Sequence, residues 1–190
     1  HFLSLSAALS ARAGAPPPGP RLRAAVIGHT GRGNYGHGLE KIFTGRPGIE
    51  LTAAADPDES GRRQTAALLG LSRTYADYRE MLAIEKPRLV SVGMRHSDQH
   101  RDVILACLNA GAHVYAEKPI TRTPAEADEL IAAAAAGNLK VAVAHTTRQG
   151  FQVRRLRDAI HGEKLIGGLL EMRAYGKQDQ RAGGEDLMVL

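Results

Sequence analysis

The chain of 190 residues contains one cysteine and no tryptophan. A single thiol, Cys107, cannot close an internal disulfide in any compartment. It falls on a helical apolar stripe with Val103 and Ala110, which marks it as a small core residue rather than a catalytic thiol. Aromatics are scarce: three Phe and five Tyr are too few for base-stacking platforms. The formal net charge of +5 raises nucleic acid or an anionic ligand as a partner. The basic residues are scattered, however, with no Lys/Arg run interleaved with aromatics, so a solvated basic surface is the better reading and no nucleic-acid partner is expected. The apolar opening Phe2–Leu9 is too short to span a bilayer as a helix. There is no G-x-S-x-G, no His-Glu-x-x-His and no cysteine pair, which removes support for a serine hydrolase or a zinc enzyme. His37, His113, His145 and His161 show no metal-ligand spacing and read as ordinary, and no metal site is expected.

What is present is a chain 43% apolar, rich in alanine and glycine, with room for one full domain and part of another. It begins at His1 and ends at Leu190 in mid-pattern, which suggests a fragment. The short apolar opening is followed by Ala11-Arg12-Ala13, a small-residue cleavage signature, and by a Pro/Gly-rich stretch from Gly14 to Pro20. Residues 1–20 therefore read as the back end of a secretory signal peptide and a linker, or alternatively as an amphipathic tail. Phe2-Leu3 resembles the end of a twin-arginine export motif, whose arginine pair would precede His1. Export to the periplasm is the expectation, with the cytoplasm as the alternative.

Beyond the linker, short apolar runs alternate with helical stretches. Strands are expected at 23–27, 49–55, 89–94, 112–116 and 139–144, and helices at about 34–44, 58–69, 77–84, 98–110 and 123–136. The last helix has the clearest punctuation: Thr123 with Glu126 as a capping box, Pro124 at the first helical position and Gly137 after an alanine-rich run. Gly111 ends the preceding helix in the same manner. Such alternation implies βαβ units and a parallel sheet, and the expected architecture is an α/β, Rossmann-type doubly wound sheet over 21–149. From about 150 the pattern changes. A basic amphipathic helix at Val153–Ile160 and a strand at Gly167–Tyr175 read as the start of a truncated α+β domain, 150–190, for substrate binding or oligomerisation.

The first strand runs directly into Gly28-His29-Thr30-Gly31-Arg32-Gly33-Asn34-Tyr35-Gly36. A glycine-rich turn there lets backbone N–H groups approach a pyrophosphate, and a following helix N-terminus favours its charge. Thr30 stands where the second glycine of G-x-G-x-x-G is usual, and His29 lies inside the loop, within reach of a cofactor. Asp56 ends the second strand, 23 residues past Gly33, where a carboxylate accepts from the adenosine ribose hydroxyls and repels a 2′-phosphate. NAD is thus favoured; NADP remains open because Arg62 and Arg63 lie just downstream. Without a ligand, Asp56-Pro57-Asp58-Glu59 would simply be a turn. Glu117-Lys118-Pro119 follows the strand expected at 112–116 at a carboxyl end, where open α/β sheets bind ligands, and a lysine there can orient a hydroxyl or assist proton transfer. On spacing alone it is equally a surface turn.

Ala24-Ala25-Val26-Ile27-Gly28, Ala54-Ala55-Asp56-Pro57 and above all Ala110-Gly111-Ala112-His113-Val114-Tyr115-Ala116-Glu117-Lys118-Pro119 resemble the glucose–fructose oxidoreductase / inositol dehydrogenase / MocA family over about 22–175. The resemblance implies the strand order 3-2-1-4-5-6, and that Lys118 is catalytic and contacts substrate and nicotinamide. It also implies a cis Lys118–Pro119 bond, Glu117 near the nicotinamide ribose, and His100 as the histidine opening the helix before Ala110-Gly111. Arg95 and His96 replace a Thr-Pro or Asn-Pro pair usual in the family; each faces the cofactor cleft or is a polar loop residue, the loop being preferred for His96. Arg148 falls near a family arginine and is equally compatible with a surface charge. The family's second-domain acid and histidine belong at or beyond Leu190, with Asp186 nearby. The cofactor-binding set is then Gly28, His29, Thr30, Gly31, Arg32, Gly33, Asp56, Arg95, His100, Glu117 and Lys118, and the catalytic residue Lys118. The implied activity is hydride transfer between NAD, or NADP, and a sugar- or cyclitol-like alcohol or ketone, in a full-length protein expected to be a homo-oligomer. Two rivals share these features: glycoside hydrolysis through transient oxidation by bound NAD, and a non-catalytic dinucleotide-binding sensor, which would have no need of Glu117-Lys118-Pro119.

Overall fold

A computed structural model describes residues 20–173. The N-terminal segment read as a leader lies outside them, save for Pro20. Six parallel strands form one sheet of order β3-β2-β1-β4-β5-β6, the doubly wound order expected. They are β1 (Leu22–Ile27), β2 (Ile49–Ala55), β3 (Thr74–Tyr75), β4 (Leu89–Val92), β5 (His113–Ala116) and β6 (Val141–Val143). The helices are α1 (Glu59–Leu69), α2 (Tyr78–Glu85), α3 (His100–Asn109), α4 (Pro124–Ala136) and α5 (Phe151–Arg157). β3 was not foreseen, because two residues carry no periodicity; it forms by pairing Thr74 and Tyr75 with Ala54 and Ala55.

Alternation along β1 sorts the core into two faces. Ala25 and Ile27 join Met81, Leu82, Val103, Ile104 and Cys107 beneath α2 and α3, with Leu130 of α4 at the margin. Ala24 and Val26 face Tyr35, Phe43 and Ala54 on the other side. The carboxyl-terminal halves of β1, β2 and β4 are buried on both faces, as in parallel sheets, and the alanines of β1 and β2 let their covering layers sit close. Asp58 and Asp77 cap α1 and α2 through side-chain bonds to the Gly61 and Arg79 amides. Thr123 caps α4 by accepting from the Glu126 amide. The Glu126 carboxylate reaches back to Arg122 N–H rather than to the cap residue itself, so half of the capping box is displaced by one position.

Three expectations are corrected. The helix at 34–44 reduces to one 3-10 turn, Leu39–Lys41, because Asn34, Gly36 and Gly38 all hold positive φ and break the helical ladder. No strand forms over 167–173; Tyr175, the end of that expected strand, lies outside the described residues. The expected helix at 153–160 is α5 followed by a π-helical turn, Asp158–Gly162. Its apolar residues Phe151, Val153 and Leu156 are exposed, so amphipathicity here does not come with a covering surface.

Candidate cofactor and catalytic site

The carboxyl ends of β1, β2, β4 and β5 meet at the point where the strand order reverses, between β1 and β4. Parallel ladders continue one residue past each strand: Gly28 N–H donates to Ala55 O (2.9 Å), Gly93 N–H to Ile27 O (2.8 Å) and Glu117 N–H to Val92 O (2.8 Å). Gly28, Asp56, Gly93 and Glu117 therefore stand in one row along the edge where open α/β sheets hold ligands.

The glycine segment is a closed turn. His29 and Asn34 exchange backbone hydrogen bonds at 3.0 Å, and Asn34 Oδ1 accepts from Gly31 N–H (3.1 Å). The turn is tied outward by Arg32 to Asp98 (2.6 Å) and by His29 Nδ1 to Gln99 (3.2 Å). At Gly28 a side chain is excluded, since a Cβ would sit 2.4 Å from the Tyr35 ring. Burial pushes the Tyr35 phenol well above its ordinary range, keeping it neutral against β1. The helix expected to back this loop does not form, so no helix dipole aids an anion here; the loop amides and nearby cations must do so instead.

One such cation is Arg95. Its Cβ lies against Gly33, where an added Cβ would come within 2.4 Å, and its Nε is buried with no hydrogen-bond partner. A buried, unpaired guanidinium N–H on a side chain whose stem packs on the glycine turn fits an anionic group such as a dinucleotide diphosphate.

Asp56 is wholly buried. Its carboxylate accepts from Thr30 N–H (3.0 Å), from the Thr30 hydroxyl (2.7 Å) and from Asp58 N–H (3.0 Å). Its immediate work is to anchor Thr30, and with it the turn, to the end of β2. It also borders a cleft of about 210 Å³ with Gly28, His29, Tyr78, Met94 and Gln99.

His100 opens α3 as expected but lies beneath the site. It is fully buried, with Nδ1 against Pro119 O (2.8 Å) and Nε2 against Met94 O (2.7 Å). Both ring nitrogens face backbone carbonyls at the β4 and β5 ends, one donating in the neutral ring, which corrects the expectation of a cofactor contact. His96 has partners of its own within the protein.

Glu117 is buried at the end of β5, and the Lys118–Pro119 bond is cis, as the family resemblance implies. Glu117 Oε1 pairs with His37 Nδ1, while Oε2 has no partner. His37, Glu117, Lys118, His145 and Arg148 border a second cleft, of about 620 Å³. Sequence reasoning passed over His37. It lies 80 residues from Glu117, and only the β1–β4–β5 pairing brings the two together.

The sequence profile of the oxidoreductase family with an NAD-binding Rossmann fold, that of glucose–fructose oxidoreductase, inositol dehydrogenase and MocA, matches residues 22–145. The chain belongs to this family. Among relatives of this chain, trans-1,2-dihydrobenzene-1,2-diol dehydrogenase of Xenopus laevis is 31% identical over 125 residues, 66% of this chain and 37% of that protein. Myo-inositol 2-dehydrogenase of Thermotoga maritima is 27% identical over 111 residues, 58% of this chain and 33% of that protein. The crystal structure of myo-inositol 2-dehydrogenase from Lactobacillus plantarum superposes with a TM-score of 0.67 at 25% identity, covering 77% of this chain and 42% of that one. The chain thus spans well under half the length of these relatives.

Proposed function

We propose that this chain is the cofactor-binding half of an NAD-dependent dehydrogenase acting on a sugar- or cyclitol-like alcohol. The observation that carries this reading is Lys118: it follows the buried Glu117 at the carboxyl end of β5 and borders the larger cleft. The family's cofactor fits the residues present. The turn 28–36, anchored by Asp56 and Thr30, offers its backbone to the diphosphate, and the unpartnered Nε of Arg95 supplies positive charge. Asp56 lies buried beside the smaller cleft, and its charge there disfavours a 2′-phosphate, so NAD is preferred over NADP. When bound, the nicotinamide accepts or returns hydride. Lys118 orients the substrate hydroxyl, and the protein's part is position and electrostatics.

The diol and inositol dehydrogenases among its relatives support the substrate class. Export is a separate proposal resting on the composition of residues 1–20; amino-terminal sequencing of the mature protein from cell fractions tests it.

Lys118→Met keeps the apolar stem and removes the ammonium. In the full-length protein, NAD reduction with a panel of polyols should fall by roughly two to four orders of magnitude, the scale of a positioned proton-transfer group. NADH affinity by fluorescence titration should hold, because the contacts to diphosphate and ribose lie elsewhere. Undiminished turnover in this variant would make Lys118 a bystander and remove the basis of the reading.

A further inference from the structure

The positive groups at the carboxyl edge of the sheet fall into two sets, and a dinucleotide diphosphate needs only one. Arg95 and the turn 28–36 follow β4 and β1 and answer that diphosphate. Lys118 and Arg148 follow β5 and β6, one and two strands further on, about 5 and 10 Å from β4 by the spacing of parallel strands. Both border the larger cleft, with His37 and His145. Among the described residues that border it, Glu117 is the one acid; its side chain has no exposed surface and faces His37 Nδ1. The charge that this cleft presents to a ligand is therefore positive. We propose that the substrate taken here is an anionic polyol, a sugar acid or sugar phosphate, whose oxyanion is held by Arg148 while Lys118 takes a hydroxyl.

The fold places these cations by the same device that builds the cofactor side. Ala144 N–H donates to Ala116 O (2.8 Å), which carries the β5–β6 ladder one residue past β6 and sets His145 at the strand ends. A 3-10 turn, Thr146–Gln149, then folds the chain back, with Arg148 N–H donating to His145 O (3.1 Å). Arg148 is thereby held at the border of the cleft. Its side chain is exposed and has no carboxylate partner among the described residues. Arg23, Arg32, Arg101 and Arg155, by contrast, are each paired with an acid of the protein.

Cations gathered in one cleft repel each other, and a neutral ligand does nothing to relieve that, whereas a carboxylate or phosphate does. The planar fork of Arg148 matches two oxygens of either group, with hydrogen bonds roughly twice as strong as those between neutral partners. The hydroxyls of Thr146 and Thr147, on the same border, both donate and accept and so suit the remaining hydroxyls of a polyol. At about 620 Å³ the cleft falls within the range of about 300–1,000 Å³ usual for small-molecule sites. The oxyanion is not itself transformed. Held at Arg148, it fixes which hydroxyl of the substrate meets Lys118.

The proposal rests on the dehydrogenase reading for its reaction but not for its anion, and the tests separate the two. In the full-length protein with NAD, rates are compared within matched sets: glucose, glucuronate and glucose 6-phosphate, and glucitol, gluconate and glucitol 6-phosphate. In at least one set kcat/KM for a charged member should exceed that of the neutral one by about tenfold or more. Raising NaCl from about 0.05 to about 0.5 M should shrink the gap, because the arginine is exposed. Preference for the acid or for the phosphate supports the proposal and names the source of the oxyanion. Arg148→Gln should remove most of the gap through KM, and Arg148→Lys, which keeps the charge without the fork, should retain part of it. Neutral polyols used as well as their charged counterparts, or a gap untouched in Arg148→Gln, would overturn the proposal. Where no member of either set is turned over, the dehydrogenase reading fails and binding decides the anion. Calorimetry at low salt should then show gluconate or glucose 6-phosphate bound by the full-length protein and about tenfold more weakly by Arg148→Gln. No binding, or equal binding by the two proteins, rejects an oxyanion at Arg148.

Discussion

Single side chains at this sheet edge do different work from what their positions in the chain suggest. Asp56 and His100 were both expected at the cofactor, and both are wholly buried with their polar atoms facing groups of the protein itself. A buried polar group without a partner costs about 1–3 kcal/mol, so the first claim on such a side chain is structural. Glu85 shows the same rule away from the site. It is buried at the end of α2, where Arg23, Arg73 (3.2 Å) and the Tyr75 hydroxyl (2.6 Å) converge on its carboxylate. Glu85→Ala should lower stability to urea by about 1–3 kcal/mol, less than for a fully buried pair because the two arginines keep contact with water. Tyr75 supplies a second readout. The bond it donates to Glu85 raises its phenol above the ordinary value of 10.0, so phenolate absorbance should appear at higher pH than in free tyrosine. In Glu85→Ala that titration should move back down, and an unmoved curve would contradict the contact.

At the scale of elements, the segment between β1 and β2 departs furthest from the ordinary fold. A helix is usual there, and this chain instead places a glycine turn and one 3-10 turn. Its shape depends on close approach as much as on backbone freedom, and two glycines separate these causes. Gly31 and Gly36 both hold positive φ, but a Cβ on Gly31 meets nothing within 4 Å, whereas one on Gly36 meets Gly93 O at 2.6 Å. Gly31→Ala should therefore cost only the left-handed backbone penalty, about 1–2 kcal/mol. Gly36→Ala should cost more, because a backbone carbonyl cannot swing aside as a side chain can. It should also separate His37 from Glu117. Comparing the two variants by urea unfolding, and by the His37 ring resonances, checks both statements. Equal losses would mean that the approach to β4 is looser than the structure has it.

For the molecule as a whole, burial of neutral acids on both faces of the sheet makes alkaline pH the vulnerable side. Cys107 has no exposed surface, and burial raises its thiol well above the ordinary 9.0; Tyr35 is raised from 10.0 chiefly by the same cause. A raised folded-state value means that the native protein holds a proton which the unfolded chain gives up. The associated stability is complete below the unfolded values and is lost as pH climbs toward the folded ones. The unfolding free energy should thus decline from about pH 9 upward, at a slope approaching 1.4 kcal/mol per pH unit for each such group, and the melting temperature should fall with it. Cys107→Ala should begin from a lower stability, having lost a buried sulfur, yet show a shallower decline. A slope identical to that of the unsubstituted protein would assign the alkaline loss elsewhere.

The alternation of apolar runs with capped, glycine-ended helices was enough to determine βαβ units and a parallel sheet, because patterning and caps are local properties, whereas the strand order followed from the family resemblance. The Glu117-Lys118-Pro119 turn was likewise visible as a short motif at a strand end, and its cis bond followed from the family resemblance. The two-residue β3 and the missing helix after β1 were not visible, since one is made by a neighbour's ladder and the other is unmade by positive φ at successive positions. The partners of Asp56, His100 and Glu117 were decided only in three dimensions. Each is set by which strand ends lie side by side, and a chain that crosses from β1 to β4 brings residues 80 apart into contact with no trace in their spacing.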